Sequence, residues 1–333
     1  MTYTILGTGS ALPSRAVSNE ELTRFLDTSD EWIASRTGIR SRRILTRGTL
    51  AQLGALAARR ALEDSGTAVE ELDLILCSTA RGDHVTPALA CGIQQELGAT
   101  CPAYDISAAC AAFIYVMDCA LGYFARGKVK RVLIIAAEEM SRFVDWTDRS
   151  TCVLFGDAAG AVVLGPGDDC LSTVLTTRGN VSVLNLPHIQ GNCPFQTQSE
   201  AKLALYMDGQ EVFKFAVNAV IQNLHDALAE AQVGMDDIAY FTLHQANMRI
   251  LNYALKKLEL AEGRMPSIMA ETGNISSASI PVIWDKLSRE GILKPGQLIA
   301  AAGFGAGLVS GAGVFRWSRA RTVPEAWNPC CDL

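Results

Sequence analysis

Along the chain, short unbroken apolar runs alternate with longer stretches whose apolar positions recur every three or four residues. Val132-Leu133-Ile134-Ile135 and Leu298–Ala302 belong to the first kind. They show no polar alternation, so both faces of such strands must be covered, as in a sheet packed between helices. The stretches between them, about 12–18 residues long, read as amphipathic helices. This alternation predicts an α/β fold.

The pattern also repeats. Ala61-Leu62-Glu63-Asp64 leads to Val69-Glu70-Glu71-Leu72-Asp73-Leu74-Ile75-Leu76, and 166 residues later Ala227-Leu228-Ala229-Glu230 leads to Met235-Asp236-Asp237-Ile238-Ala239-Tyr240-Phe241-Thr242. Each is a helix end, an acidic turn and an apolar strand. A second echo follows at an offset of 164, where Arg126-Gly127-Lys128-Val129-Lys130 precedes Val132–Ala137 and Glu290-Gly291-Ile292-Leu293-Lys294 precedes Leu298–Ala302. Two similar α/β halves are therefore expected, residues 1–166 and 167–317, meeting near Gly165-Pro166-Gly167-Asp168-Asp169. Beyond Trp317 the pattern dissolves, and residues 318–333 are expected to form a tail.

Composition narrows the class. Of 333 residues, 19% are charged and 49% hydrophobic, which fits a globular protein and excludes a disordered or fibrous chain. The 29 basic and 35 acidic residues leave a net charge of −6, unsuited to general nucleic-acid binding. Ten cysteines contain no Cys-x-x-Cys, and none pairs with a histidine at zinc spacing, so reduced thiols are expected. The first residues lack a basic region followed by an apolar run, so a cytoplasmic location is expected. Leu298–Phe315 is 18 residues without a charge and holds Gly307-x-x-x-Gly311. Its five glycines make a poor helix, and two buried strands around a glycine loop are expected rather than a membrane span. Cys330-Cys331-Asp332-Leu333 has prenylation-like spacing but lacks the aliphatic position and a preceding basic run.

Three residues stand where chemistry is commonly placed. Cys110 lies between a short apolar strand and an alanine-rich helix, a turn where the helix dipole and free N–H groups stabilise a thiolate. A buried core cysteine fits the same position. His244 directly follows the apolar run Ala239–Leu243, at the carboxyl end of a strand, where α/β folds bind ligands. A hydrogen-bonded loop histidine is the alternative. Asn274 precedes Gly291 by 17 residues, as Cys110 precedes Gly127, so the two occupy one helix N-terminus in the two halves. A pseudo-twofold brings such ends together, although Asn274 also suits a plain helix cap. His84 and His188 fall in loops and His225 on a helix face, as structural or solvated residues.

Gly303-Phe304-Gly305-Ala306-Gly307 permits close backbone approach and N–H donation to an oxyanion, or is only a tight turn. Gly7-x-Gly9 lacks the third glycine of a dinucleotide fingerprint, with Leu12 in its place. Arg249, Lys256 and Lys257 share one helix face opposite Ile250, Leu251, Ala254, Leu255 and Leu258. That face is either solvated surface or, on an acidic protein, a docking site for an acidic partner.

These residues resemble β-ketoacyl-acyl-carrier-protein synthase III, a condensing-enzyme family of the thiolase superfamily, over about residues 1–317. The resemblance rests on Thr28-Ser29-Asp30-Glu31-Trp32-Ile33 with Arg36-Thr37-Gly38-Ile39, Ala108-Ala109-Cys110-Ala111, and Thr147-Asp148-Arg149 with Phe155-Gly156-Asp157. It continues through Met207-Asp208-Gly209-x-Glu211-Val212-Phe213-Lys214, His244-Gln245-Ala246-Asn247, Gly273-Asn274-x-Ser276 and Lys294-Pro295-Gly296. It implies a duplicated five-layer α/β/α/β/α fold, a homodimer, and a decarboxylative condensation of an acyl-CoA primer with malonyl-acyl-carrier protein. No cofactor, nucleic acid or membrane is implied. By resemblance Cys110 is the acylated nucleophile, His244 and Asn274 promote decarboxylation, and the N–H groups of Cys110 and Ala306 form the oxyanion hole. Trp32 and Arg149 would hold adenine and Arg36 the phosphates of CoA, with Gly209, Phe213 and Asn247 along the pantetheine. Thr86 and Phe304 would shape the acyl pocket, and Lys214, Arg249, Lys256 and Lys257 would meet the carrier protein.

Ala112, Ala158 and Ala306 stand where relatives often have glycine, and a positive φ at Ala306 would be strained. Thr86 stands where some acetyl-specific relatives carry a partner-donated phenylalanine, which implies longer or more branched primers. A thiolase would carry a second cysteine as base near the C-terminal glycine loop, and residues 300–317 contain none. A plant-type polyketide synthase shares the three residues but is usually longer and lacks the basic face. A specialised ketosynthase or acyltransferase of a secondary pathway stays open. A non-catalytic partner of a ketosynthase would tend to lose the cysteine.

Overall fold

Two sheets carry the apolar runs, and they share a strand order. The first runs Cys330–Cys331, Thr2–Pro13, Asp157–Gly167, Val132–Glu139, Leu74–Ser78, Ala103–Ile106. The second runs Cys170–Asn180, Gly307–Arg316, Leu298–Gly305, Ile238–Leu243. Each contains an antiparallel pair, Val132–Glu139 with Asp157–Gly167 and Leu298–Gly305 with Gly307–Arg316. Each adds a parallel neighbour, Leu74–Ser78 and Ile238–Leu243. The structure, a computed structural model, describes residues 2–187, 194–195, 203–320 and 323–333. His188 lies outside them.

Helices fill three layers around the sheets. Leu50–Ser65 and Leu89–Leu97 cover the outer face of the first sheet through Leu53, Ala57, Ala61 and Ile93. Ala112–Ala125 and Ser279–Arg289 lie between the sheets, where Phe113, Met117, Ile283 and Trp284 meet residues of both. Gly209–Ala231 and Met248–Lys257 cover the second sheet with Val217, Leu224, Ile250 and Leu251. The result is the five-layer α/β/α/β/α arrangement of the thiolase fold. Trp284 packs edge-on against Phe113 and Phe315, both centroids 5.3 Å away, and each such pair adds roughly 0.5–1.5 kcal/mol beyond its buried area.

The repeated segments take corresponding forms. Leu50–Ser65 leads through the short turn Val69–Glu71 to Leu74–Ser78, and Gly209–Ala231 leads through Met235–Asp237 to Ile238–Leu243. Gly127 and Gly291, each two residues past its central helix, both adopt left-handed backbone, with φ of 62° and 65°. Gly7-x-Gly9 serves packing: a Cβ on Gly9 would lie 2.3 Å from the Ala57 carbonyl oxygen, so Leu50–Ser65 can press directly onto the first strand. Leu298–Phe315 is two antiparallel strands. No helix among the described residues is long and apolar enough to cross a membrane.

The tail expectation needs correction. Cys330–Cys331 pairs parallel with Leu12–Pro13, and Trp327 Nε1 donates to Ser10 Oγ at 3.0 Å. Arg319 donates to the Leu6 carbonyl at 2.7 Å. The strand Thr2–Pro13 would otherwise leave this end of its edge unpaired, and the last residues supply the missing partner. Two residues of strand are too short for any hydrophobic period to reveal.

Candidate active site

Cys110 is positioned by an abrupt change of direction. The strand Ala103–Ile106 ends, the tight turn Ala109–Ala111 follows, and the helix Ala112–Ala125 begins. Ala109 carries φ of 46°, left-handed backbone that a non-glycine residue adopts at a cost of about 1–3 kcal/mol. The glycine loop presses from the other side: a Cβ on Gly305 would lie 2.6 Å from the Cys110 nitrogen. Only glycine lets these backbones meet. Ala306 is not among the described residues with positive φ, so the strain foreseen there is absent; the strained residues at the site are Ala109 and Ser276, φ 48°.

The thiol's electrostatics run against the helix-dipole expectation. Burial pushes Cys110 up to about 12; the Ser276 hydrogen bond and its own amide pull it down, while the Glu138 charge adds to the rise. Desolvation of a thiolate outweighs the dipole of one helix turn. Ser276 Oγ lies 3.2 Å from Cys110 Sγ.

His244 extends the second sheet. Its N–H donates to the Ala302 carbonyl at 2.8 Å, which aims the imidazole beyond the strand's carboxyl end. The ring is buried edge-on to Phe304, centroids 5.1 Å apart. Burial lowers its pKa to about 3, against a weaker hydrogen bond to the Ser276 backbone, so it is a neutral imidazole near pH 7. Nδ1 lies 3.0 Å from Ser279 Oγ, whose hydroxyl donates to the Ser276 carbonyl at 2.9 Å. For Nε2 to donate, that hydroxyl must turn from the carbonyl to Nδ1, which places the ring proton on Nε2.

Asn274 is held by backbone and side chain. Its N–H donates to Leu154 at 2.8 Å, and its carbonyl accepts from Gly156 at 3.0 Å. Its Oδ1 accepts the Ser276 N–H at 2.9 Å, which leaves the amide NH2 for a ligand. Cys110, His244 and Asn274 line one cavity of about 1040 Å³, together with Phe304 and Ala306. Ser276 links all three by the contacts above.

Trp32, Arg36, Arg149, Gly209, Phe213, Lys214, Asn247 and Arg249 line the same cavity. The Arg36 and Arg149 guanidinium carbons lie 4.6 and 5.1 Å from the centroid of the Trp32 ring. A flat base slipped between Trp32 and Arg149 needs about 3.5 Å on each side, so Arg149 would have to move outward. Asn247 Oδ1 caps the helix Met248–Lys257 by accepting the Arg249 N–H at 2.9 Å. Phe213 stands edge-on to Tyr253, centroids 6.0 Å apart, and Lys214 pairs with Glu211 at 2.7 Å.

Three expected residues stand apart from the cavity. Lys256 and Lys257 are exposed in the last turn of their helix, and Thr86 is exposed in a loop. Within a single chain Thr86 does not shape the acyl pocket. Ser279 and Glu138 escaped the sequence reading, and Ser276 was quoted without a role. An acid directly after the apolar run Val132–Ala137, still inside the strand Val132–Glu139, was the available signal for Glu138.

A neutral imidazole, a carboxamide and a thiol facing one largely apolar cavity suit acyl transfer rather than acid–base hydrolysis by paired carboxylates. The comparisons agree. The family described as 3-oxoacyl-[acyl-carrier-protein] synthase III matches residues 104–179, and its C-terminal part matches residues 228–317. A β-ketoacyl-[acyl-carrier-protein] synthase III of Clostridium acetobutylicum is 40% identical over 323 residues, covering 95% of this chain and 98% of the relative. The crystal structure of 3-oxoacyl-[acyl-carrier-protein] synthase III from Aquifex aeolicus superimposes with a TM-score of 0.88 at 39% identity, over 95% of this chain and 100% of that one. The priming β-ketosynthase from the R1128 polyketide biosynthetic pathway gives 0.89 at 37% identity, over 95% and 96%.

Proposed function

The chain belongs to the 3-oxoacyl-[acyl-carrier-protein] synthase III family, and on that premise we propose how its cavity carries out the condensation. It is an acyltransferase of fatty acid biosynthesis that joins an acyl primer to malonyl-acyl-carrier protein, giving 3-oxoacyl-acyl-carrier protein and CO2. The primer arrives as acyl-CoA. Trp32 and Arg149 hold its adenine and Arg36 its phosphates, and the pantetheine passes Gly209, Phe213 and Asn247. The Cys110 sulfur attacks the thioester carbon while the N–H groups of Cys110 and Ala306 hold the oxyanion. CoA departs and leaves an acyl-enzyme, with Phe304 beside the acyl chain.

Malonyl-acyl-carrier protein then enters the same tunnel. His244 Nε2–H and the Asn274 NH2 donate to its thioester carbonyl, so the charge released as CO2 leaves rests on that oxygen. The carbanion attacks the acyl carbon and Cys110 departs. Loss of CO2 supplies the electron pair, so the step calls for neither metal nor redox group. The observation that carries this reading is the shared cavity, with the sulfur drawn from one half of the duplicated fold and its two hydrogen-bond donors from the other.

The enzyme acts as a homodimer in which Thr86 of the partner subunit closes the acyl end. A threonine leaves more room there than an aromatic ring would. Turnover against acyl-CoAs of increasing length and branching, with malonyl-acyl-carrier protein as second substrate, tests the assignment. The expected products are CO2 and 3-oxoacyl-acyl-carrier protein, with primers beyond acetyl accepted. Acyl transfer to the carrier protein without CO2 release would favour the acyltransferase reading instead. The likeness to a polyketide priming ketosynthase gives that secondary-pathway alternative its weight.

Lys214 and Arg249 at the cavity, with Lys256 and Lys257 beside them on the helix Met248–Lys257, form the surface for the acidic carrier protein. Lys214 shares its charge with Glu211, so the helix residues carry more of the attraction. Lys256→Glu combined with Lys257→Glu is expected to raise KM for malonyl-acyl-carrier protein about tenfold at low salt, with the rate of Cys110 acylation by acyl-CoA unchanged. An unchanged KM removes the role.

A further inference from the structure

The reading of Cys110 as nucleophile leaves its proton unplaced. A thiol held near 12 needs a base, and the imidazole is a poor one, with its pKa lowered to about 3 and Nδ1 engaged by Ser279. The polar side chain recorded on Cys110 Sγ is the Ser276 hydroxyl, 3.2 Å away. That same oxygen lies 2.9 Å from Glu138 Oε1. A hydroxyl has one proton and two lone pairs. With its proton on the carboxylate, Ser276 Oγ turns a lone pair toward the thiol, which completes a chain S–H···O–H···⁻O–C.

Glu138 is an odd residue to find there. It is the penultimate residue of the buried strand Val132–Glu139 and is 1% exposed. No salt bridge reaches it among the described residues. Its other partners are neutral donors: Ala80 N–H at 2.8 Å, Ser277 Oγ at 2.6 Å and Ser277 N–H at 3.3 Å. The titratable groups facing it are Cys110 from the helix turn and Cys77 from the neighbouring strand. Glu139 points to the opposite face, where it meets Arg142 and Asp157. A buried carboxylate without a cation is costly and is not how a core is stabilised.

Resting on the assignment of Cys110, we propose that Glu138 receives the Cys110 thiol proton through the Ser276 hydroxyl and returns it when Cys110 leaves. In acylation the S–H bond breaks, the proton moves to Ser276 Oγ, and the Ser276 proton moves to Glu138 Oε1. The sulfur electron pair forms the bond to the acyl carbon. The tetrahedral intermediate expels the CoA thiolate, which takes a proton from water. In condensation the carbanion displaces Cys110 as thiolate, and Glu138 returns its proton along the same path. One proton is consumed from solution per turnover, the proton of the released CoA thiol. Burial raises Glu138 to about 7, near the working pH at which a base is most effective. The transfer moves one negative charge between two buried groups and never places a second beside it.

Glu138→Gln keeps the size and an acceptor oxygen and removes the base. Two measurements follow: the pre-steady-state rate of Cys110 acylation by acyl-CoA, read as intact mass, and the pH profile of Cys110 alkylation by iodoacetamide. Acylation is expected to fall about 100-fold. Wild-type alkylation is expected to bend near neutral pH, and the variant to lose the bend and react only in alkali. Glu138→Asp restores part of the rate and the bend, which a purely structural role would not do. Ser276→Ala, with Glu138 intact, breaks the same path and loses the same bend, so the idea stays testable if the glutamine variant does not fold. Acylation within twofold of wild type with a superimposable pH profile overturns the relay. Cys110→Ala run alongside separates the two claims: an adduct that persists there overturns the nucleophile, whereas one lost there but unaffected by Glu138→Gln overturns the relay alone.

Discussion

Cys110→Ala is expected to abolish the acyl-enzyme and to lower condensation by at least about a thousandfold. Mixing wild-type enzyme with acyl-CoA should add one acyl mass to the chain, and the variant should show none. The magnitude follows from the site. Removing the sulfur removes the covalent intermediate and leaves only binding and the oxyanion donors. The cavity offers no obvious substitute, since the nearby Ser276 hydroxyl is committed to Glu138 and lies off the helix turn that presents Cys110. Cys110→Ser should also fail to accumulate the adduct, because an alkoxide is far harder to form in this buried position. The other nine cysteines provide the control, since an adduct retained in Cys110→Ala must sit on one of them and would remove the assignment.

His244→Ala should separate the two halves of the reaction. CO2 release from malonyl-acyl-carrier protein is expected to fall about 10²–10³-fold, while acylation of Cys110 changes little. In the proposed mechanism the imidazole is a neutral donor to a developing enolate, and loss of one such donor from a water-poor site typically has this size. Ser279→Ala should give a smaller loss of the same kind, because the proposed Nε2–H donor relies on this hydroxyl turning from the Ser276 carbonyl to Nδ1. The pH dependence is equally specific. With the folded value lowered to about 3, CO2 release should show no histidine inflection between about pH 5 and 8. The stability linked to His244 is present above its unfolded value of about 6.5 and is lost as pH falls toward 3, since only the unfolded chain then takes up the proton. Thermal unfolding from pH 7 to pH 4 should therefore fall more steeply in the wild type than in His244→Ala. Wild-type CO2 release by His244→Ala, or an inflection near pH 6.5, would sink the role.

Much of this protein was legible before its coordinates. The buried strands Val132–Glu139 and Leu298–Gly305 announce themselves as apolar runs because both faces are covered. The duplication shows because two copies of one packing problem keep similar solutions at one spacing. Cys110 and Asn274 stand out because each opens the same central helix in its own half, and His244 because it ends a strand.

What stayed hidden depends on neighbours distant in sequence. Glu138 and Ser276 are separated by 138 residues and meet only because the two central helices pack between the sheets. Thr86 is exposed and outside the cavity lining of its own chain, so its place at an acyl pocket rests on a second copy. The last residues looked like a tail, yet the open edge of the first strand recruits them.

The amino-acid order alone thus determined the alternation of elements, the doubling of the fold, and the chemical types a condensing site requires, because periodicity and residue chemistry are local properties. Only tertiary packing decided the protonation states. Burial drives the thiol up, the imidazole down and the carboxyl toward neutrality. Desolvation belongs to the surrounding volume, and no single residue carries it in its own position along the chain.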